Sequence, residues 1–300
     1  MPTGTNRNVF LLRNRRIETV ALGEWLRKAH SLINTLPEEP SSSINALIGF
    51  ALDKPVHFGI SHPEYVLTTA EESMLDALLN RLLMAEPLPY ITGKQEFFGL
   101  EFKMTSDVLI PRPETELLVE NALDWLQKRN NNSLVADVGT GSGCIAVSLG
   151  KKLPSAKIVG TDVFYKALKI AQANVNSHGL DGRIALVQTD LLSGIQPQFD
   201  CICANLPYIS SGTLSGLTVE DFEPLSALDG GQDGLRYIEP LLFQSRSRIK
   251  PNGLILLEIE ATQSQAVFNL AASVFPVASI KILADLAGNP RLACIEMKNG

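Results

Sequence analysis

Hydrophobic residues recur every three or four positions from Ala21 to Met84. The spacing is clearest in the ten residues 74–83, where the apolar positions are Met74, Leu75, Leu78, Leu79, Leu82 and Leu83. Such spacing places apolar side chains on one face of a helix. Prolines break the pattern into separate helices, and Ser41–Ser43 is an N-cap region for the one that follows. The segment therefore predicts a small helical bundle.

A change of pattern after Met84 marks a linker. Pro87 and Pro89 exclude a continuous helix there, and the stretch 96–102 predicts a β-hairpin. A new helix is expected to begin near Glu114, directly after Pro111-Arg112-Pro113. We therefore expect an N-terminal helical domain over residues 1–85, a linker over 86–113 and a second domain over 114–300.

Apolar runs alternate with helical periodicity beyond Ser133. The runs predict strands at 134–138, 157–161, 184–188, 199–204 and 254–259, with two more near Ile280 and Cys294. Helices are expected to begin at Cys144 and to cover 165–176, 239–249 and 263–272. Alternating strands and helices are typical of an α/β fold with a doubly wound, mostly parallel sheet.

Composition and charge narrow the class of protein. A chain of 300 residues with 45% hydrophobic and 19% charged residues is long enough to bury a large core, which excludes global disorder. A net charge of −6 argues against affinity based on phosphate neutralisation, so we expect no direct binding of nucleic acid. The sequence has neither an 18-residue apolar run nor an apolar signal region near its start, so we expect no membrane span or secretory signal.

The four cysteines are too few and too irregularly spaced for a disulfide framework. They favour a reducing compartment, and we predict a cytoplasmic protein. Cys201 and Cys203 fall on one face of a strand, which favours packing in the core over metal binding, and we expect no metal site. The basic, acid-free segment Arg7–Arg16 is either a frayed terminus or an organellar presequence, and the terminus is the simpler interpretation.

A glycine-rich loop follows the first predicted strand of the sheet. It consists of Gly139, Thr140, Gly141, Ser142 and Gly143 after Asp137-Val138. Ligands bind at this position in doubly wound sheets, at the carboxyl end of a strand and the N-terminus of a helix. The third glycine comes one residue earlier than in the dinucleotide fingerprint, and G-x-G-x-G resembles the S-adenosylmethionine loop of class I methyltransferases. A purely structural turn is the alternative.

Two acidic residues end the next strands. Asp162 lies 19 residues after Gly143, about the spacing at which an acid binds ribose hydroxyls, although it also fits as an N-cap for the helix at Tyr165. Asp190 is placed to accept from an adenine amino group while Leu191 packs on the ring, or else to cap a loop. Both positions favour a bound nucleoside.

The tetrapeptide Asn205-Leu206-Pro207-Tyr208 follows the fourth strand. An amide nitrogen is a weak nucleophile because its lone pair is delocalised. If the Asn205 side-chain oxygen and the Leu206 carbonyl accept its two N–H hydrogens, the lone pair turns toward a methyl donor. Pro207 fixes the backbone and Tyr208 is suited to stacking on a flat group. The motif predicts a site for a planar NH₂ group, in an amide or a nucleobase.

With these motifs, the chain resembles the release-factor glutamine methyltransferase family (PrmC/HemK) of class I S-adenosylmethionine-dependent methyltransferases. The resemblance covers about residues 86–235 and includes the glycine loop, the tetrapeptide at Asn205, the run Pro111-Arg112-Pro113-Glu114-Thr115-Glu116, and the segments 86–93, 97–99, 108–110, 227–231 and 233–235. The Pro-Arg-Pro-Glu-Thr-Glu run is specific to this family, and it implies a segment that closes over donor and target.

The resemblance implies a fold and a reaction. The fold is a seven-stranded, mostly parallel Rossmann-like sheet that follows an N-terminal helical domain, which binds the substrate protein. The reaction is methyl transfer from S-adenosylmethionine to the glutamine side-chain nitrogen in the Gly-Gly-Gln motif of class 1 peptide chain release factors, which modulates translation termination. The donor-binding residues implied are Gly139, Thr140, Gly141, Ser142, Gly143, Asp162, Asp190, Leu191 and Asn205, and the substrate-binding and catalytic residues are Asn205, Leu206, Pro207 and Tyr208.

One position departs from the family pattern. The family usually has Asn-Pro-Pro-Tyr, whereas this chain has Leu206 as the second residue, as some adenine N6-methyltransferases do. Methylation of adenine in RNA or DNA is therefore the alternative function, although the acidic balance, the missing basic stripe and the helical domain before the catalytic one argue against it. A non-enzymatic nucleoside-binding module is a third interpretation. It leaves the tetrapeptide at Asn205 without a use.

Overall fold

The computed structural model describes residues 20–33, 42–129, 132–214 and 222–298. The chain divides into two compact units, Met1–Leu88 and Pro89–Gly300. The basic segment Arg7–Arg16 and the capping residue Ser41 lie outside the described residues. Each unit is built around its own buried apolar side chains.

The first unit is helical, as the periodicity predicts. Its helices are α1 (Leu22–Ile33), α2 (Ser42–Leu52), α3 (Phe58–Ser61) and α4 (Thr69–Leu83). A capping box begins α4, since the Thr68 side chain accepts from the Glu71 backbone N–H and the Glu71 carboxylate accepts from the Thr68 N–H. The buried indole of Trp25 donates to Asp76 Oδ1 at 2.8 Å. Helix periodicity and capping together therefore account for this unit.

A short helix and a hairpin occupy the predicted linker. The helix α5 (Leu88–Thr92) is a single turn and tolerates Pro89 because a first-turn residue needs no N–H donor. The strands β1 (Lys94–Phe97) and β2 (Leu100–Lys103) pair antiparallel. Both turn residues, Phe98 and Gly99, have positive φ, as a tight two-residue hairpin turn requires. The predicted hairpin is confirmed, and the linker carries more structure than the prolines suggested.

The second unit is organised around one seven-stranded sheet. Its strands are β3 (Leu134–Val138), β4 (Lys157–Asp162), β5 (Ile184–Gln188), β6 (Phe199–Ala204), β7 (Ile249–Glu258), β8 (Ser279–Ala284) and β9 (Pro290–Glu296). The spatial order is β5-β4-β3-β6-β7-β9-β8. The first five strands run parallel, whereas β9 pairs antiparallel with both β7 and β8. The predicted seven-stranded, mostly parallel sheet is confirmed.

Helices cover both faces of this sheet. They are α6 (Glu116–Gln127), α7 (Cys144–Lys152), α8 (Tyr165–Ser177), α10 (Ile238–Ser245) and α11 (Ser264–Val274), and the single turn α9 (Ser211–Leu214) follows β6. Alternate strand residues belong to different cores: Val135 packs with the side chains of α6–α8, and Ala136 with those of α10 and α11. Cys201 and Cys203 share the first face with their sulfurs 3.7 Å apart, as the strand alternation predicts.

The largest departure from the predicted elements is at α10. The helix ends at Ser245, and Ile249 already begins β7, whereas the periodicity predicts a helix to 249 and a strand only from 254. Pairing with β6 decides the outcome, because Phe199 pairs with Ile249 before a register shift and Cys201 then pairs with Leu254. Tertiary pairing therefore overrides the helical period here.

Candidate active site

A cleft opens at the carboxyl ends of the parallel strands, where the strand order reverses between β3 and β6. Its volume is about 980 Å³, including the open mouth. Ten of the sequence-predicted site residues line it: Gly139, Thr140, Gly141, Ser142, Asp162, Asp190, Leu191, Asn205, Leu206 and Pro207. Gly143 and Tyr208 are not among the lining residues. Ligands of doubly wound sheets bind at this switch point.

The glycine loop is held from below by Asp137. Its Oδ2 accepts from the Thr140 hydroxyl at 2.6 Å and from the Ala146 N–H at 3.1 Å, while Oδ1 is buried without a partner among the described residues. Burial raises the pKa of Asp137 to about 6, and those two hydrogen bonds oppose the rise. The carboxylate therefore ties the strand end, the loop and the first turn of α7 together.

Two glycines of the loop are required for different reasons. Gly139 has φ +71°, and a Cβ there would come within 2.7 Å of the Leu206 side chain, which packs against it. Gly141 has φ +54°, and a Cβ there would meet only the Gly139 carbonyl, at 3.9 Å. The space next to the Gly141 Cα is therefore part of the open cleft, and a ligand can approach the Gly141 backbone there.

Asp162 binds the same loop from the neighbouring strand. Its Oδ2 accepts from the Gly141 N–H at 3.0 Å and its Oδ1 from the Phe164 N–H at 2.9 Å. The N-cap of α8 is Phe164, so Asp162 is not the cap that the alternative interpretation supposed. Burial raises the pKa of this carboxyl group, against the backbone hydrogen bonds. Each oxygen keeps capacity for another donor on the cleft side.

Leu191 reaches the cleft through an uncommon backbone conformation. It has φ +51° although it is not glycine, and its side chain is buried, whereas Asp190 beside it is exposed. The Asp190 carbonyl accepts from the Ser193 N–H at 2.9 Å, which closes the turn. Left-handed backbone at a bulky residue persists only where the surroundings impose it, and such residues cluster at ligand sites.

Asn205 is oriented by a residue of the Pro-Arg-Pro-Glu-Thr-Glu run. Its Nδ2 donates to Thr115 Oγ1 at 3.0 Å, and both residues line the cleft. One of the two Nδ2 hydrogens is thereby engaged, and the Oδ1 acceptor has no hydrogen-bond partner among the described residues, so it is available to a ligand. Arg112 of the same run forms an ion pair with the buried Glu223, whose neighbour Pro224 lines the cleft. The run therefore contacts both the tetrapeptide, through Thr115, and the segment at Glu223, through Arg112.

Tyr208 lies behind the cleft wall and contacts a buried acid. Its hydroxyl donates to Glu258 Oε1 at 3.1 Å, and its carbonyl accepts from Gln263 Nε2 at 2.8 Å. Burial raises the pKa of Glu258, and the hydrogen bond from the Tyr208 hydroxyl opposes that rise. Sequence analysis named the run that contains Thr115 without giving this side chain a role, and it missed Glu258. A single acid within the apolar run of β7 was the available signal, because such residues are rarely buried without partners.

The loop at Gly230 and Gly234 is shaped to fit the tetrapeptide. A Cβ at Gly230 would lie 2.7 Å from the Tyr208 Cα, and one at Gly234 would lie 2.2 Å from the Tyr208 carbonyl oxygen. The Ile209 carbonyl accepts from the Gly230 N–H at 2.8 Å. These glycines therefore permit backbone to pack directly on backbone beneath the cleft.

Two further observations limit the chemistry of the site. Burial raises the pKa of the Cys144 thiol, which lines the cleft, to about 12, so it is not a ready nucleophile. Within the described parts of the chain, no group of three or more histidine, cysteine or acidic side chains is arranged to hold a metal ion.

No helix among the described residues is long and apolar enough to cross a membrane.

Comparison with known proteins agrees with this geometry. Residues 24–93 match the PrmC N-terminal domain and residues 113–222 the Methyltransferase small domain. The release factor glutamine methyltransferase of Moorella thermoacetica is 38% identical over 273 residues, covering 90% of this chain and 95% of the relative. The chain belongs to the release factor glutamine methyltransferase family. The relative of the same name from Geobacter sulfurreducens is 39% identical over 262 residues, with 86% and 82% of the two chains covered.

Family membership confirms two predictions from the sequence, the resemblance itself and the assignment as a methyltransferase enzyme. A solved methyltransferase from Pyrococcus furiosus shares the fold, with a TM-score of 0.50 and 17% identity over 68% of this chain and 91% of that one. Leu206 is the residue at which this chain departs from the usual family motif. Its side chain packs against Gly139, and Asn205 beside it still lines the cleft.

Proposed function

We propose that this protein transfers a methyl group from S-adenosylmethionine to the glutamine side-chain nitrogen in the Gly-Gly-Gln motif of class 1 peptide chain release factors, and thereby modulates translation termination. Family membership supports the reaction, since the relatives are called release factor glutamine methyltransferases. The observation that carries the proposal is the Asn205 side chain, which lines the cleft with Nδ2 engaged by Thr115. Its Oδ1 is then available to accept from a substrate amide.

The cleft fits the methyl donor. The open space above Gly141 admits the amino acid part and ribose, Asp162 retains acceptor capacity for ribose hydroxyls, and Leu191 offers an apolar surface for adenine. We infer that the loop Gly139–Gly143 with Asp162, Asp190 and Leu191 binds the donor. The donor supplies an electrophilic methyl group on a sulfonium.

The chain's own contribution is orientation of the amide. Asn205 Oδ1 and the Leu206 carbonyl accept the two N–H hydrogens of the glutamine side chain, which exposes the nitrogen lone pair. Leucine serves as well as proline for this purpose, because the acceptor at that position is a backbone carbonyl. Pro207 restricts the turn, and Tyr208 anchors it through Glu258 and Gln263. Proximity and electrostatics then supply the rate.

The test is incubation of the full chain with labelled S-adenosylmethionine and a purified release factor, followed by mass mapping of the modified residue. We expect one methyl group on the Gly-Gly-Gln glutamine. Asn205→Ala should lower kcat on the order of a hundredfold to a thousandfold and leave donor affinity within about threefold, because the lost acceptor acts mainly in the transition state.

Two outcomes would contradict the proposal. Labelled adenine in RNA beside an unmodified release factor would favour the nucleic-acid alternative, and that activity should fall steeply as salt rises. An Asn205→Ala variant with turnover close to wild type would remove the tetrapeptide from the reaction.

A further inference from the structure

We propose that Asn174 is a positioning residue for the methyl donor, and that its carboxamide holds the glycine loop and the hairpin β1–β2 in the arrangement that donor binding requires. The inference rests on the proposed function, because it takes the loop Gly139–Gly143 as the donor site. Asn174 belongs to α8 and lies outside every motif that the sequence analysis singled out. It is not among the residues that line the cleft, so it acts through the loop.

The Asn174 side chain forms three hydrogen bonds. Its Oδ1 accepts from the Lys103 N–H at 2.7 Å, and its Nδ2 donates to the Ser142 carbonyl at 2.8 Å and to the Lys103 carbonyl at 3.2 Å. Exchanging the two ends of the amide would set Nδ2 against an N–H group and Oδ1 against two carbonyl oxygens, so only this orientation satisfies all the partners. The residue is 1% exposed, and a buried polar group that loses its partner is costly. The side chain is therefore held firmly between the loop and the hairpin.

The bond from Asn174 fixes one peptide group of the glycine loop. The Ser142 carbonyl accepts from Asn174, and the Gly143 N–H of the same peptide group donates to the Thr140 carbonyl at 2.7 Å. Because a peptide group is planar, it cannot turn without breaking both bonds. Ser142 lines the cleft, so the bond from α8 fixes the loop surface that the donor meets.

The packing of α8 on the loop explains the third glycine of the motif. Gly143 has φ +80°, and a Cβ there would lie 3.2 Å from the Ala171 Cβ and 3.3 Å from the Ala171 Cα. Ala171 comes three residues before Asn174, so the two side chains share one face of α8. Gly143 therefore lets α8 approach the loop closely enough for Asn174 to bind the Ser142 carbonyl.

The other two hydrogen bonds of Asn174 hold the end of the hairpin that leads into the cleft. Lys103 is the last residue of β2, and residues 107–109 already line the cleft. His178, at the C-terminal end of α8, donates from Nε2 to the Glu101 carbonyl at 2.8 Å, so a second side chain fastens β2 to the same helix. The glycine loop and the cleft-lining segment after β2 are thereby tied to one helix, and removing the Asn174 side chain releases both.

Calorimetric titration and steady-state kinetics on the full chain test the assignment. Asn174→Leu removes the three hydrogen bonds at similar side-chain volume, and we expect Kd and KM for S-adenosylmethionine to rise at least about tenfold. The kcat at saturating donor and the KM for the release factor should stay within about threefold, because the tetrapeptide at Asn205 is untouched. The matched control is Asn121→Leu, which loses only a hydrogen bond from Nδ2 to the Leu117 carbonyl of its own helix, α6, and should bind the donor as wild type does.

Asn174→Asp separates the contact with the loop from the contact with the hairpin. The carboxylate still accepts from the Lys103 N–H, but it has no hydrogen to donate to the Ser142 carbonyl. We expect a loss of donor affinity as large as that of Asn174→Leu. Wild-type affinity in the folded Asn174→Asp protein would show that the bond to the loop is not needed, and it would overturn the inference.

Gly143→Ala perturbs the same junction without changing Asn174. Its Cβ would press against Ala171 and weaken the Asn174–Ser142 bond, so we expect donor affinity to fall about fivefold. This variant keeps the test decisive if the Asn174 variants do not fold, which melting temperature would reveal. Combined with Asn174→Leu, the loss should be smaller than the product of the two single losses, because both changes separate the loop from α8.

Three results would overturn the inference. They are a folded Asn174→Leu protein with wild-type donor affinity, a Gly143→Ala protein with wild-type donor affinity, and single losses that multiply in full in the double variant. A lower melting temperature with unchanged Kd for the donor is included in the first of these, since it would show a role in folding alone. If the wild-type protein itself does not bind S-adenosylmethionine, the proposed function fails instead, which is a distinguishable result.

Discussion

Asp137→Asn is expected to change how the stability of the second unit depends on pH. The pKa of Asp137 is about 6 in the folded protein because burial outweighs the hydrogen bonds from Thr140 and Ala146. The ordinary value is 3.8, and at 1.36 kcal/mol for each pKa unit the difference corresponds to about 3 kcal/mol. Because the folded pKa is raised, the stabilising contribution is fully present below pH 3.8 and is lost as pH rises through about 6.

The variant removes this ionisation. Its unfolding free energy relative to wild type should therefore rise by about 2.4 kcal/mol between pH 4 and pH 7, because the unfolded-state carboxyl, with a pKa of 3.8, is already partly ionised at pH 4. Any fixed cost of the buried Nδ2 is the same at each pH and cancels from this change. The assay is urea unfolding at intervals of one pH unit in a Trp25→Phe background, because Trp125 is then the only tryptophan and lies in the same unit as Asp137.

The control is Asp285→Asn, which should give the opposite sign. Backbone hydrogen bonding from Asn289 lowers the pKa of Asp285, so its stabilising contribution is present at neutral pH and lost on acidification. Relative to wild type, this variant should become less stable as pH rises. A difference between Asp137→Asn and wild type that stays flat from pH 4 to pH 7 would refute the assigned burial of a charge at Asp137.

Three further substitutions test the cleft. Gly141→Val should weaken S-adenosylmethionine binding at least about tenfold by calorimetry, whereas Gly182→Val, at a similar positive φ with open space around it, should leave the affinity unchanged. Asp162→Ala should weaken donor binding by about 1.5 to 3 kcal/mol, and an unchanged affinity would exclude contact with the donor. Gly230→Ala should lower both melting temperature and kcat because its Cβ would overlap the Tyr208 backbone, and a variant with wild-type values of both would contradict the packing described.

Three strands of the sheet were predictable with their bounds from the sequence alone. β3, β5 and β6 have the expected bounds because each is an apolar run between turn residues, and the glycine loop follows β3 as the motif requires. The end of α10 was not predictable, since its apolar period continues to Ile249 and only pairing with Phe199 assigns that residue to a strand. The local sequence therefore predicts the bounds of an element only where turn-forming residues flank it.

Motif analysis found the residues of the cleft but not the ones that hold them. Asn205 belongs to a recognisable tetrapeptide, whereas its partner Thr115 is 90 residues away and no local pattern links the two. The same holds for Tyr208 and Glu258, which are 50 residues apart. Tyr208 and Glu258 meet because the parallel strands β6 and β7 end at one edge of the sheet, whereas Thr115 arrives there from the 3₁₀ turn Pro113–Thr115 before α6. Both pairs follow from topology and not from spacing along the chain.

Three buried carboxylates lie at the carboxyl ends of the parallel strands. They fix the geometry of the site, and they also lower the stability of the fold. Asp137, Asp162 and Glu258 end or nearly end β3, β4 and β7, and burial raises the pKa of each. A raised carboxyl pKa means that folding disfavours the ionised form, so each residue lowers stability at neutral pH. In return, each accepts from a backbone N–H or a hydroxyl of a neighbouring loop and fixes its position. Methyl transfer to a delocalised nitrogen requires accurate alignment of donor and amide, and rigid acceptors at the strand ends provide it.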